Sequence, residues 1–313
     1  MSESDLFLRP GIEITNRIEL KYAHAVSLLN QLTGRIGEWS AAENLLARVH
    51  QVDEHRVELR LVINRLPPID EWSLILGDTL HNFRSVFDTI IWAFATLDGA
   101  IPNRPKQVSF PVTKDEGEWK QRIKNLESVP PQLLERVRQL QSWPDGQRGT
   151  ESLLWHIHRL DNLDKHQGLI SGALHVNQVF TGGLNLNLEP SQTASEAQLK
   201  FETRQDPVRA EEDAVVTSIS CDTHALSPNP SYLAKVEVQF RLEGEDDRGA
   251  FITTFGAELA AKTREYLDLL CGGQLFAQAR ALARSSTEPS VVHGYYDQGG
   301  ELHVLRLPLM PPD

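Results

Sequence analysis

The stretch Asp70 to Leu97, DEWSLILGDTLHNFRSVFDTIIWAFATL, limits what this chain can fold into more than any other. Leu76, Leu80, Phe83, Phe87, Ile90, Phe94 and Leu97 follow one another at alternating spacings of four and three, the stripe of a helix with one apolar face. Pro67 and Pro68 cannot continue a helix from upstream, and Asp98-Gly99 offers a stop. Asp70 is an expected N-cap, with Glu71 in the first turn where the helix dipole favours negative charge. The spacing therefore predicts a helix of about 27 residues, about 40 Å long. Asp78, His81, Ser85 and Asp88 fall on the opposite side with Arg84 beside them, and Trp92 stands among these polar residues, which predicts cover on both faces. His81, Arg84 and Asp88 at i, i+3 and i+7 can meet.

A second polar-seamed segment runs from Thr150 to Ile170, with Thr150 as its expected cap and Gly168 and Gly172 as places to stop. Leu153, Ile157 and Leu160 give it an apolar side. His158, Asp161, Asn162 and Lys165 form one polar line, and Arg159, Asn162 and His166 form another. Neither helix carries a balanced set of charges alone, and a buried charge needs an opposite charge or several hydrogen bonds. The two seams are therefore expected to face each other, with His81, Arg84 or Asp88 touching Asp161, Asp164, Lys165 or His166.

The rest of the chain sets the fold class. Ile18, Tyr22, Ala25, Leu29, Leu32 and Ile36 predict helix from about Thr15 to Val49, bent or divided at Gly34 and Gly37. Val57, Leu59 and Leu61 alternate with charged residues as a strand does. Residues 99–113 are punctuated by prolines, Glu116 to Leu126 and Pro131 to Leu140 read as short helices, and Ser142 to Gly146 as a turn. After residue 172 come short β-rich stretches: ALHVNQVF, LNLNLE, AQLKFET, AVVTSIS, AKVEVQF and AFITTF. Ala257 to Leu270 reads as a helix that Gln274 to Arg284 could continue, and VVHGYYD with ELHVLRL as a hairpin around Gln298-Gly299-Gly300. Strands pooled after helices predict an α+β protein: a helical N-terminal half, then a mainly antiparallel β-sheet and one long helix in the C-terminal half. The expected division is a mainly helical region, 1–172, and a β-rich region, 173–313, with one single domain as the other option if Val57 to Ile63 joins the later sheet.

Composition narrows the function classes. A net charge of −12 argues against an extended nucleic-acid-binding surface and leaves room for a small basic site. Two cysteines, Cys221 and Cys271, are too few for a disulfide framework, and the first residues lack a signal-like core, so a cytoplasmic location is expected. Asp88 interrupts the best apolar run, so no membrane span is expected. There is no G-x-G-x-x-G after a strand, no phosphate-binding G-x-x-x-x-G-K, no G-x-S-x-G and no H-E-x-x-H, and no cofactor is expected. His156 and His158 point to nearly opposite sides of a helix, so with His166 they do not make a metal site.

LGDTLHNFRSVFDTIIWAF resembles the L-G-D-x-L-H-N-L-R-S-x-L-D-H stretch of a family of uncharacterised bacterial proteins, and DNLDKHQGLI resembles its D-N-x-D-K-H-R stretch. The likeness extends to VSFPV and PPQLLERVRQLQSW and covers roughly residues 55–175. It implies a shared fold and pocket rather than a reaction. Thr89 stands where that family often has His, and Gln167 where it often has Arg. More distantly, Arg159 followed by His166 resembles the Arg-then-His pattern of HEPN domains, helical bundles that often cleave RNA. Arg84 with position 89 would repeat the pattern had His been kept there.

Three functions stay open at this point. One is a HEPN-like, metal-independent ribonuclease in which His166 is general acid or base, Arg159 or Lys165 steadies the phosphate and Asn162 orients it. Another is a non-catalytic module that binds a small anionic or nucleotide-like ligand through His81, Asn82, Arg84, Asp88, Asp161 and Asp164. The third is an interaction protein whose seams are internal ion-pair networks.

Overall fold

The computed structural model describes residues 12–97, 99, 101–141, 143, 152–167, 170, 172–182, 184, 186–189, 198–203, 208–242, 252–271, 290–296 and 302–308. In chain order these form α1 (Ile12–Ala41), β1 (Leu45–Asp53), β2 (Arg56–Ile63), α2 (Ile69–Ala95), α3 (Glu116–Arg122), α4 (Pro131–Gln139) and α5 (Leu153–Gln167). There follow β3 (Gly172–Phe180), β4 (Leu186–Glu189), β5 (Leu199–Thr203), β6 (Val208–Arg209), β7 (Val215–Cys221), β8 (Ala225–Pro228) and β9 (Leu233–Leu242). α6 (Ile252–Cys271), β10 (Ser290–Tyr296) and β11 (Leu302–Pro308) complete the order. The protein is α+β, and every strand pair among the described residues is antiparallel.

The chain divides into two compact units, each assembled from non-consecutive stretches: 1–31, 74–170 and 256–313 in one, 32–73 and 171–255 in the other. The second holds a seven-stranded sheet in the order β5-β7-β2-β1-β9-β3-β6. The early strand does join it: β2 pairs with β7, Val57 opposite Ile219, and β1 pairs with β9, Leu46 opposite Lys235. Trp72 packs edge-on against Trp39 and Phe240, at 6.0 and 5.9 Å between ring centres. Gly172 lies against the Phe240 ring, where any side chain would collide.

The first unit is helical. Leu76, Leu80, Phe83, Phe87, Ile90 and Phe94 of α2 are all buried, as the spacing predicted. Tyr22 of α1 meets Phe83 edge-on, and Phe87 meets both Phe110 and Tyr266. α1 and α6 are joined by a two-pronged ion pair, Arg264 Nη1 to Glu19 Oε2 at 2.7 Å and Nη2 to Oε1 at 2.8 Å. β10 and β11 pair as the expected hairpin, Gly294 opposite Val304.

Several local expectations are corrected. α2 starts at Ile69 because the Pro68 carbonyl already accepts from Trp72 N (3.1 Å), so Asp70 is not the cap but a first-turn charge. The N-terminal helix does not reach Val49: α1 runs unbroken through Gly34 and Gly37 and ends at Ala41, and Leu45 to Val49 pair with β2 instead. AFITTF is not a strand; Ile252 and Phe255 are buried in the first turns of α6, in line with Leu259. The polar side of α2 is partly open rather than fully covered. Glu71, Leu74, Asp78, His81, Ser85, Asp88 and Trp92, again at spacings of three and four, form its least buried line, and Trp92 is 42% exposed. Thr150, Gly168, the Ser142 to Gly146 turn except Trp143, the Gln274 to Arg284 extension and the Gln298 to Gly300 turn lie outside the described residues.

Candidate functional site on helices α2 and α5

α5 begins at a Ser152 N-cap, whose hydroxyl accepts from Trp155 N at 3.1 Å. Leu154 and Ile157 are buried on its apolar side, which brings Asp161 inward, and its carboxylate is only 3% exposed. A buried carboxylate must be paired. His81 of α2 supplies one partner, with Nδ1 3.1 Å from Asp161 Oδ1, and Lys165 supplies the other, with Nζ 2.7 Å from Oδ2. The seams thus meet as their charges require. An ionised Asp161 can only accept, so His81 donates from Nδ1, and its Nε2 has no partner among the described residues. The His81 side chain is 52% exposed, and the result is an imidazole at the surface oriented by a carboxylate beneath it, with an ammonium alongside.

Two further features surround this dyad. Gly77 lets α5 approach closely: a Cβ there would stand 2.5 Å from Asp164 Oδ1. Burial, then the nearby Asp161 and Asp78 charges, raises the pKa of the Asp164 carboxyl. On the other side His158 is pushed down to about 4, first by burial and then by the Arg84 and Arg122 charges. It is therefore neutral near pH 7 and accepts from the Asn162 amide, Nδ2 to Nε2 3.1 Å.

The remaining sequence candidates separate by role. Arg84, 8% exposed, donates from Nη2 to the Phe110 carbonyl (2.6 Å) and to Asp88 Oδ1 (3.1 Å), while Phe110 N donates to the same Asp88 oxygen (2.8 Å). These two residues fasten the 110 segment to α2, and among the described residues Arg84 Nη1 has no hydrogen-bond partner. Asn82 donates to the Asp78 carbonyl (2.8 Å) and Thr89 to the Ser85 carbonyl (2.8 Å), so each is engaged within its own helix. Asn162 is held by His158, Arg159 is half-buried, His166 is exposed, and the Gln167 side chain lies outside the described set.

Sequence reasoning passed over Lys21. Its Nζ donates to Ser85 Oγ at 2.7 Å, one turn along α2 from His81, and it has no carboxylate partner among the described residues. It flanks the apolar stripe of α1, and nothing in its local pattern marks it as different from a solvated lysine. Elsewhere, a hollow of about 270 Å³ on the sheet is lined by Arg56, Glu58, Glu202, Thr217 and Ser218, but Glu58 already pairs with Arg56 and Arg60. Among the described residues no three His, Cys, Asp or Glu side chains converge as metal ligands, and no helix is long and apolar enough to cross a membrane.

No protein-family model matches the chain, no curated protein is significantly similar to it in sequence, and no solved structure is significantly similar in fold. The motif resemblances of α2 and α5 therefore stand on their own residues.

Proposed function

We propose that the α2–α5 face is an acid–base site that cleaves RNA phosphodiester bonds. The observation that carries this reading is the Asp161 carboxylate, buried and shared between exposed His81 and Lys165. A carboxylate behind an imidazole fixes its tautomer and stabilises the imidazolium formed when it takes a proton. His81 Nε2 removes the proton from the attacking 2′-hydroxyl, and the Lys165 ammonium faces the charge that builds on the phosphate. The 2′-hydroxyl supplies the nucleophile, so the protein need not. His166, exposed one residue beyond Lys165, is the candidate acid for the leaving 5′-oxygen. The net charge of −12 fits a short contact rather than an extended one. Both cysteines are unpaired and buried, which fits a reducing cytoplasm.

Thr89 favours a second reading. Where a paired HEPN-like site would offer His, its hydroxyl is bound to the Ser85 carbonyl, so the same face could hold a nucleotide-like anion without turnover. Cleavage of single-stranded RNA by wild type, His81→Ala and His166→Ala separates the two. The enzyme reading expects His81→Ala to lower the rate by about 10²–10⁴-fold. Binding of nucleotide with no cleavage by wild type selects the second reading.

A further inference from the structure

Lys21, near the dyad, has no carboxylate partner among the described residues. It lies half-buried on α1 with only the neutral Ser85 hydroxyl as its partner among the described residues, Nζ to Oγ 2.7 Å. A partly desolvated ammonium held this way retains an unbalanced charge, and an anion is what balances it. Ser85 lies on the same open line of α2 as His81. Side chains four apart on a helix are neighbours, so Lys21 reaches the surface about 6 Å along the axis from the dyad. The line continues past Asp88, whose charge is answered by Arg84 and by Phe110 N, to Trp92. Trp92 presents an indole that is 42% exposed, about 16 Å along the axis from His81. An exposed aromatic near a cation that no carboxylate pairs among the described residues is an arrangement that suits single strands, in which the cation meets a phosphate and the ring meets a base.

We propose that the open line of α2 is a track for single-stranded RNA, with the Lys21–Ser85 pair contacting the phosphate next to the one at His81 and Trp92 stacking a base beyond it. The inference rests on the proposed function for its polarity and substrate class. It adds a minimum length: a dinucleotide reaches only part of the track, whereas an oligonucleotide of four or more occupies it.

The test is binding, measured apart from cleavage. The probe is a fluorescein-labelled hexauridylate with 2′-O-methyl riboses, which cannot be cleaved through the 2′-oxygen. Anisotropy titrations compare wild type, Lys21→Gln, Trp92→Ala and, as a charge-matched control on α3, Lys120→Gln, each checked for an unchanged thermal midpoint. Expected are weakening of about fivefold or more for Trp92→Ala, a salt slope shallower by about 0.7 for Lys21→Gln, and no change for Lys120→Gln. Should Trp92→Ala lose stability, Trp92→Phe replaces it and retains most of the affinity. Binding that depends on Lys21 and Trp92 without any cleavage of unmodified RNA by wild type removes the enzyme reading and keeps the track. Wild type that fails to bind the probe, or binding that neither Lys21→Gln nor Trp92→Ala weakens, overturns the track.

Discussion

Replacing Arg84 by alanine tests whether the polar seam of α2 is partly architectural, and its cost can be worked from the contacts. The guanidinium donates at 2.6 Å to the Phe110 carbonyl, which is buried and would lose its charged donor, a loss of about 1.5–3 kcal/mol. Asp88 loses less. It keeps the Phe110 N–H at 2.8 Å and is 38% exposed, so water replaces the guanidinium and about 0–1 kcal/mol is at stake. The stem and the contact over the Phe110 ring, 5.9 Å from the guanidinium carbon, add roughly 1 kcal/mol. Against these, removing Arg84 also removes the unpartnered, buried Nη1, which offsets about 1 kcal/mol. The expected loss is about 1.5–4 kcal/mol, below the upper end for a stranded buried carboxylate because Asp88 is not stranded. Arg84→Met keeps the packing and should cost less. Urea unfolding followed by fluorescence and circular dichroism gives the number, provided the two probes coincide. A loss under about 1 kcal/mol for Arg84→Ala would show that the clamp on the 110 segment contributes nothing net, and the reasoning would fail.

Two other outcomes follow from neighbouring groups. His158 has a folded pKa of about 4 against 6.5 in the unfolded chain, so the unfolded state binds the proton first; its contribution is intact above pH 6.5 and lost as pH falls toward 4. Allowing for its partial exposure, wild type should lose about 2 kcal/mol more than His158→Gln across that window in urea melts at stepped pH, and equal losses would reject the assignment. Gly77→Ala should destabilise wild type by displacing Asp164, yet stabilise an Asp164→Ala background by up to about 1 kcal/mol through helix propensity; a double-mutant cycle with no coupling would show that the two do not touch.

What was legible in the sequence was periodic or paired. The α2 stripe could be read because six large apolar residues keep one helical phase, and the α2–α5 contact because neither polar seam balances its own charges. Leu45 to Val49 reads as a continuation of the N-terminal helix, since a short apolar run serves helix or strand equally, and it is the pairing with β2 and β9 that makes it a strand. AFITTF is rich in residues that favour strands, yet Ile252 and Phe255 find burial in α6. Within the site, charge balance brought His81, Arg84 or Asp88 to Asp161, Asp164, Lys165 or His166 but could not single out the His81–Asp161 pair or rank His81 above His166, because rank depends on which imidazole has a buried carboxylate behind it. Lys21 was invisible for the same reason: its partner is 64 residues away.

The tautomer of His81 tests the central geometry most directly, because it needs no substrate. Long-range ¹H–¹⁵N correlation spectra at pH 8, with His81 assigned by its absence in His81→Ala, report which ring nitrogen carries the proton. Asp161 beneath Nδ1 requires the Nδ1–H form in wild type, and Asp161→Ala should return His81 to the mixture typical of free imidazole in water. A His81 already in that mixture in wild type, or a spectrum that Asp161→Ala leaves unchanged, would mean that the carboxylate does not orient the imidazole, and the proposed acid–base site would lose its foundation.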